Sequence, residues 1–383
     1  MMRLLILFIS IFLFHISLSA QSEFSKKKYL QDHAIELNKD SSDFSFLKPL
    51  IGEKQFVFLS DGHQSGSSKI YFTQLIKYLH EELDFDVLVL ESGIYGAELA
   101  NNAMNTTPSQ SNLISQNFIA QFISGCDASK QLFDYIGETK SGEDPLQLSG
   151  LDIEFNRTQQ LLFQMLDSAF REQNDKILSD KNYILFKNYF DSLATFSSLN
   201  NLDNFQKNLL FQYADTLRSF INKLNDPTNF LFLIGENISA YVQASLMKSP
   251  SLNSVLRNSQ MFVNLQWLIK AKYSGKKIII WASPAHLAPG FMEGEIPMAV
   301  YFYQQYSRDN VFYLACSNYE PDGKSTAPNG SLNADMHQSK MKTAVLLFHQ
   351  AGEEKSFINQ TKDSRFFDAV LFIDDLKSCT WNY

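Results

Sequence analysis

Two histidines and a glutamate follow short apolar segments of the sequence, at positions where a strand would end. His63 comes after FVFLSDG, Glu91 closes DVLVLE, and His286 closes KKIIIWASPAH. A histidine has an unperturbed pKa of about 6.5, so a neutral ring can take a proton from water near pH 7. A carboxylate can orient that ring. The pattern predicts general acid–base chemistry, with His63, Glu91 and His286 as catalytic residues.

Two aspartates take similar positions. Asp61 lies between the first apolar segment and His63, and Asp152 closes LQLSGLD. We predict that both contact a substrate. Structural roles are the alternatives: Asp152 can cap the element that follows, and His63 can be a turn residue. A carboxylate at Glu91 would be costly to bury alone, so an ion pair with Arg257 or a lysine is a further interpretation.

Seven apolar segments of strand length must position these residues. They are Phe56–Leu59, Val87–Leu90, Leu146–Leu151, Lys277–Ala282, Val311–Ala315, Ala344–Phe348 and Ala369–Ile373. Several are apolar throughout, which is typical of strands covered on both faces. Helical periodicity recurs between them, as over Ile70–Leu83 and Met261–Ala271. The alternation predicts an α/β fold with a mostly parallel sheet flanked by helices, and ligands bind at the carboxyl ends of such strands.

Residues 157–250 differ from the rest because they lack strand-like segments and carry scattered Leu and Phe. We expect a helical insertion that forms a cap or one wall of a cleft, within a single domain of residues 21–383. Lys69 and His80 fall at positions expected to be solvated on the helix that follows His63.

The first twenty residues resemble a signal peptide. Arg3 precedes an apolar run from Leu4 to Phe14, and SLSA ends in small residues. We therefore predict an exported protein, periplasmic or secreted, with no integral membrane segment after removal of residues 1–20. The formal net charge of −8 becomes −9 without Arg3 and argues against nucleic acid as a partner.

Three cysteines, Cys126, Cys316 and Cys379, form no zinc pattern, and a disulfide among them stays open. The chain has no G-x-S-x-G elbow for a nucleophilic serine and no H-E-x-x-H helix. We predict no cofactor and no metal ligands. A divalent-metal hydrolase that uses the same His, Glu and Asp residues is the alternative. The sequence carries no signal for the oligomeric state.

Four segments resemble the erythromycin esterase family in the right order along the chain. DGHQSGSSKIYFTQLIKYLHEELDFDVLVLES is similar to its first signature, a histidine turn, a helix and a strand ending in Glu. RNSQMFVNLQWL resembles its R-D-x-x-M-A-x-N segment, with Arg257, Met261 and Asn264 in register. GKKIIIWASPAHLA is similar to its strand followed by W-A-H-N-x-H, and RFFDAVLFIDDL to its closing strand.

The resemblance implies an α/β core with a helical insertion, and hydrolysis of a small-molecule ester or lactone by water attack without a required metal. It implies catalytic roles for His63, Glu91, His286 and Arg257. Asp152 matches the acid of a G-x-D segment, and Asn264 joins the predicted substrate-binding residues.

The sequence differs from the family pattern at four acid or histidine positions. These are Ser60, Ser67, Asn258 and Ser283. A non-catalytic exported protein that binds a small molecule in the same cleft is therefore a second alternative.

Overall fold

The structure is a computed structural model that describes most of the chain after the predicted signal peptide. The described ranges are 28–38, 43–63, 65–155, 157–173, 176–193, 200–290, 295–321, 324, 331–348 and 367–381. Residues 1–20 lie outside these ranges, so the predicted signal peptide stays a prediction. No helix within the described ranges is long and apolar enough to cross a membrane.

The described residues contain eight strands in one mixed sheet. They are β1 (Ala34–Glu36), β2 (Phe56–Ser60), β3 (Val87–Gly93), β4 (Gln147–Asp152), β5 (Ile278–Ala282), β6 (Val311–Pro321), β7 (Thr343–Leu347) and β8 (Ala369–Leu376). The order across the sheet is β1-β7-β8-β6-β2-β5-β3-β4. The six strands from β8 to β4 run parallel, whereas β7 runs antiparallel to β8 and β1 antiparallel to β7.

The predicted α/β fold is confirmed, and all seven predicted segments form strands. The three-residue strand β1 was not predicted, because so short a segment carries no readable alternation. It forms the edge of the sheet beside β7, pairing Ile35 with Val345.

Fourteen α-helices lie entirely within the described ranges. They are α1 (Lys48–Ile51), α2 (Gly66–Leu83), α3 (Ile94–Thr106), α4 (Ser111–Phe118), α5 (Gln121–Ser124), α6 (Lys130–Lys140), α7 (Gln159–Glu172), α8 (Lys181–Phe190), α9 (Asn204–Leu224), α10 (Phe230–Leu246), α11 (Pro250–Trp267), α12 (Pro284–Leu287), α13 (Met298–Tyr303) and α14 (Leu332–Gln338). A π-helical turn, Leu268–Lys272, extends α11.

Both faces of the parallel strands are buried, as their continuous apolar sequences predict. In β2, Val57 and Leu59 face a core that includes residues of α2, α3 and α6. Phe56 and Phe58 face the opposite core, formed with α11 and α13. Since alternate residues of a strand point to opposite faces, each parallel strand ends between two layers of helices.

Between β4 and β5, the described residues form helices α7 to α11 and no strand. Helices α7 to α10 bury their own aromatic core, in which Phe163, Tyr183 and Phe190 pack together. This agrees with the helical character predicted for residues 157–250. The role of the insertion as a cap stays a prediction.

Candidate active site

The carboxyl ends of three adjacent parallel strands bring His63, Glu91 and His286 together. β5 lies between β2 and β3 in the sheet. His63 follows β2, Glu91 lies near the end of β3, and His286 lies in α12, which follows β5 directly. The fold therefore delivers three residues that are far apart in sequence to one edge.

Glu91 is the centre of this cluster and is only 4 % exposed. Its Oε2 accepts a hydrogen bond from the Ser283 N–H at 2.7 Å and lies 2.8 Å from Nε2 of His63. Its Oε1 lies 3.0 Å from Nε2 of His286 and 3.5 Å from Nη2 of Arg257. Both carboxylate oxygens are thus occupied by N–H groups.

These contacts keep Glu91 ionised. Burial by itself raises the pKa of the carboxyl, because a charge is poorly solvated inside a protein. The hydrogen bond with His286 and the close approach of His63, with the positive charge that both rings can carry, outweigh burial and hold the pKa well below its ordinary value of 4.5. The site therefore contains a fixed negative charge between two imidazoles.

Both ring nitrogens of His286 have partners, and the residue is 5 % exposed. Nε2 faces Glu91, and Nδ1 lies 2.6 Å from Oδ1 of Asn258 on α11. A ring that donates from both nitrogens is an imidazolium, whereas a ring that accepts from the amide group of Asn258 is neutral. In either form no ring nitrogen is left for a substrate, so His286 is placed to hold Glu91.

His63 is the more accessible imidazole, with a side chain that is 21 % exposed. Its Nε2 is close to Glu91, but the N–H direction is poorly aligned for a hydrogen bond. Its Nδ1 makes no hydrogen bond to the described part of the chain. The ring packs on Phe122, with the ring centroids 4.2 Å apart. Catalytic hydrogen bonds in unliganded enzymes are often misaligned in this way.

Arg257 and Asp152 form the ion pair that adjoins Glu91. The guanidinium donates from Nε to Asp152 Oδ1 at 2.9 Å and from Nη2 to Asp152 Oδ2. Burial lowers the pKa of Arg257, but Asp152, Glu154 and Glu91 outweigh it and raise the pKa, so the side chain stays charged. Asp152 is 1 % exposed, whereas the Arg257 side chain is 27 % exposed. The arginine is therefore the member of this pair that can reach a ligand.

Asp61 points away from the cluster, into the body of the protein. It is 1 % exposed, and its oxygens accept hydrogen bonds from Trp281 Nε1, at 2.8 Å, and from the Ser68 hydroxyl. The structure therefore gives no support to the predicted substrate contact. Asp61 instead ties the end of β2 to β5 and α2.

Asn264 is fully buried and makes a reciprocal amide pair with Asn237 of α10. Each Nδ2 donates to the other Oδ1 at 2.7 Å, and Asn264 Nδ2 also donates to the Leu151 carbonyl at 3.0 Å. These contacts join α10, α11 and β4. They place Asn264 in the framework behind the cluster, with no exposed surface in this structure.

Three supporting contacts were not predicted from the sequence. Asn258 and the Ser283 N–H hold His286 and Glu91, and both positions differ from the family pattern. Phe122 packs on His63 from a helix far along the chain, and no local pattern marks it.

A cavity of about 350 Å³ opens at the ends of β3 and β4. Ser92 and Gly93, which follow Glu91, line it together with Gln121, Glu154 and Arg157. Gln121 precedes Phe122, the residue that packs on His63. The cavity thus borders β3 and α5, which carry Glu91 and Phe122, but its lining includes none of the four predicted catalytic residues.

Nε2 of His63 and Nε2 of His286 lie 2.8 Å and 3.0 Å from the oxygens of Glu91. Across the part of the chain that the structure describes, no three His, Cys, Asp or Glu residues are arranged to hold a metal ion.

Cys126 and Cys379 form a disulfide, and Cys316 is free. The sequence left this pairing open. The bond joins the C-terminal segment to the turn before α6, and Cys379 Sγ lies 3.9 Å from the carbonyl oxygen of His63. The segment that ends the described chain therefore packs beside the site.

Solved structures share this fold across nearly the whole chain. A Bacillus cereus protein has a TM-score of 0.75 at 17 % identity, covering 94 % of this chain and 99 % of that one. A succinoglycan biosynthesis protein has a TM-score of 0.72 at 16 % identity, covering 93 % and 98 %. A histidine-to-asparagine mutant of the erythromycin esterase EreC, in its open conformation, has a TM-score of 0.68 at 14 % identity, covering 91 % and 98 %.

Sequence comparisons point the same way. The Bacillus subtilis (strain 168) protein named "Putative hydrolase YbfO" is 26 % identical over 300 residues, which is 71 % of this chain. The match spans 66 % of that relative, just under two thirds of its length. The family model for erythromycin esterase matches residues 80–376, well over half of the chain. The protein therefore belongs to the erythromycin esterase family.

Proposed function

We propose that the protein hydrolyses an ester or lactone bond of a small molecule by water attack assisted by His63. The observation that carries this proposal is the buried, ionised Glu91 held between His63 and His286, with His63 the exposed imidazole. A carboxylate that orients a histidine is the arrangement by which many hydrolases activate a nucleophile.

The exposed fractions of the side chains suggest how the roles divide. Glu91 and His286 are almost completely buried, whereas the side chains of His63 and Arg257 are 21 % and 27 % exposed. Only groups that reach the cleft can touch a substrate. His63 and Arg257 are therefore the catalytic pair, while Glu91 orients His63, and His286 holds Glu91.

In the proposed reaction, Nδ1 of His63 takes a proton from water as the water oxygen bonds to the carbonyl carbon. The carbonyl oxygen becomes an oxyanion near Arg257, whose Nη1 donates to no described residue and can stabilise the charge. The intermediate then expels the alkoxide, which recovers the proton from His63. The products are a carboxylic acid and an alcohol.

The negative charge of Glu91 beside His63 supports this sequence of steps. When His63 becomes an imidazolium, Glu91 lies 2.8 Å from its Nε2 and stabilises the new positive charge. General-base assistance of this kind contributes about 10²–10⁴-fold to a rate. Asp152 keeps Arg257 oriented, which is a positioning role rather than the substrate contact predicted from the sequence.

We also propose that the protein acts after export, in the periplasm or outside the cell. The signal-peptide pattern of residues 1–20 supports this, as does the Cys126–Cys379 disulfide, since disulfides persist in oxidising compartments. Neither a cofactor nor a metal ion takes part in the proposed reaction.

The test is a panel of 4-nitrophenyl esters, small lactones and a macrolide lactone, assayed with the wild type, His63→Ala and His337→Ala. His337 lies far along the chain on α14, against Asp374, and serves as the matched control. We expect turnover of at least one panel member, a loss of at least about 10²-fold in His63→Ala, and little change in His337→Ala.

Two other results would count against the proposal. If a chelator abolishes turnover and a divalent cation restores it, the metal-dependent alternative is correct. If the wild type binds panel members and hydrolyses none, the protein is a binding protein with the fold of an esterase.

A further inference from the structure

Lys69, in the first turn of α2, is fully buried although the sequence suggested a solvated position. It lies on the face of α2 that carries Phe72, Ile76 and Leu79, all of which are buried. The expectation is wrong because helical spacing, rather than residue type, places Lys69 on the buried face of α2. Lysine is rarely buried without a partner, so this position needs an explanation.

The ammonium group of Lys69 binds the main chain of the catalytic turn. Nζ donates to the carbonyl oxygen of His63 at 2.6 Å and lies 5.9 Å from the ring centre of Trp281. Among the described residues, no carboxylate comes within ion-pair distance of it. Burial lowers the pKa of Lys69, and the negative charge of Asp61 opposes this.

The short connection from β2 to α2 is thereby held at two points. Asp61 is fixed through its side chain by Trp281 and Ser68. Two residues later, the His63 carbonyl is fixed by Lys69. The Sγ of Cys379 also approaches the His63 carbonyl, at 3.9 Å. The anchors at Asp61 and His63 constrain the direction in which the His63 side chain leaves the main chain.

A contribution to stability does not by itself explain why a lysine occupies this buried position. A buried ammonium pays a desolvation penalty, and replacing buried charges by apolar side chains of similar volume is often neutral or stabilising. Methionine would fill much of the same space beside Trp281. What methionine lacks is the donor to the His63 carbonyl.

We propose that Lys69 is a positioning residue that holds the His63 turn so that the imidazole meets Glu91 and the substrate. The inference rests on the proposed function of His63. Lys69 is a buried cation behind the catalytic turn. It acts through the main-chain carbonyl of His63 and touches no substrate itself.

The experiment compares Lys69→Met with Lys277→Met. Lys277 is a matched control because its Nζ also donates to main-chain carbonyls, those of Gly52 and Leu83, and lies 5.5 Å from the ring centre of Phe85. Lys277 directly precedes β5, so it lies at the amino ends of the parallel strands, whereas His63 lies at their carboxyl ends. Both variants are assayed for kcat and KM on the best panel ester, and for the rate at which diethylpyrocarbonate modifies His63, followed by mass spectrometry.

A misplacement of about 1 Å in a catalytic group can cost about 10²-fold in rate. For Lys69→Met we expect kcat to fall about 10- to 100-fold with KM within about twofold, and the His63 modification rate to change severalfold. Lys277→Met should keep kcat and the modification rate of the wild type. If Lys69→Met does not fold, Lys69→Gln, which keeps an N–H donor at shorter reach, is measured against the same control.

Wild-type kcat and His63 modification in the Lys69 variant would overturn the positioning role while leaving the proposed function intact. So would equal losses in the Lys69 and Lys277 variants. If the wild type hydrolyses nothing, the proposed function fails, but the modification rate of His63 still decides whether Lys69 positions it.

Discussion

Glu91→Gln removes the charge at the centre of the cluster while keeping the shape of the side chain. The carboxylate accepts from the Ser283 N–H and contacts His63, His286 and Arg257. Glutamine retains one acceptor oxygen, but its NH₂ group then faces another N–H donor. Breaking a buried charged pair by removing one partner costs about 3–5 kcal/mol, and we expect the free energy of unfolding at pH 7 to fall by that amount.

The pH dependence of the free energy of unfolding is a second, independent measure of the ionised state of Glu91. In the folded protein the pKa of Glu91 lies well below 4.5, the ordinary value it has in the unfolded chain. The stabilisation is therefore complete above pH 4.5 and declines as the pH falls through and below that value. The unfolded state then binds one more proton, which costs the wild type up to about 1.4 kcal/mol per pH unit. Glutamine does not titrate. The difference in the free energy of unfolding between the wild type and Glu91→Gln should therefore shrink by up to about 1.4 kcal/mol for each pH unit below pH 4.5.

Urea unfolding of both proteins at several pH values from 7 to 3.5 measures these quantities. Glu143→Gln, at an exposed position, is the control and should stay within about 0.5 kcal/mol of the wild type at pH 7. If Glu91→Gln matches the wild type in stability at pH 7 and in its slope below pH 4.5, Glu91 is not an ionised, hydrogen-bonded carboxylate. The reasoning about the cluster would then be wrong.

Two further predictions concern the framework of the site. A Cβ added at Gly93 would lie 1.9 Å from the carbonyl oxygen of Glu154, so Gly93→Ala should lower the free energy of unfolding by about 1–3 kcal/mol. Gly62→Ala, where no atom lies within 4 Å of the added Cβ, should change it by less than about 0.5 kcal/mol in the same urea titration. Cys379→Ser opens the bond to Cys126 across 253 residues and should cost about 2–4 kcal/mol relative to the oxidised wild type, a difference that a reducing agent should abolish.

The location of the cluster could be predicted from the sequence because it follows from the direction of the strands. Parallel strands share one carboxyl edge, which made this edge the expected place for the site. The close approach itself also needs β2, β5 and β3 to be neighbours, an order that the structure supplied. His63, Glu91 and His286 do approach each other, and the ion pair of Arg257 with Asp152 adjoins them.

What could not be predicted is where a polar side chain points once its element is placed. Asp61 was expected at the cleft, but it turns inward because Trp281 and Ser68 offer it donors. Asn264 resembles a family motif residue, yet it pairs with Asn237 in the core. Lys69 is the exception, since its spacing of three and seven residues from buried Phe72 and Ile76 would have revealed it.

The departures from the family pattern acquire a physical meaning in this geometry. Asn258 stands where the pattern has an aspartate, and it contacts Nδ1 of His286 through a neutral amide. A carboxylate there would give His286 an acid at each ring nitrogen. Among the described residues, Glu91 is the one carboxylate within ion-pair distance of His286 and of His63. The negative charge beside the two histidines therefore depends on one residue. Substitution at Glu91 should disturb the positions of both histidine rings at once. In an Asn258→Asp variant, the second carboxylate should make the position of the His286 ring less dependent on Glu91.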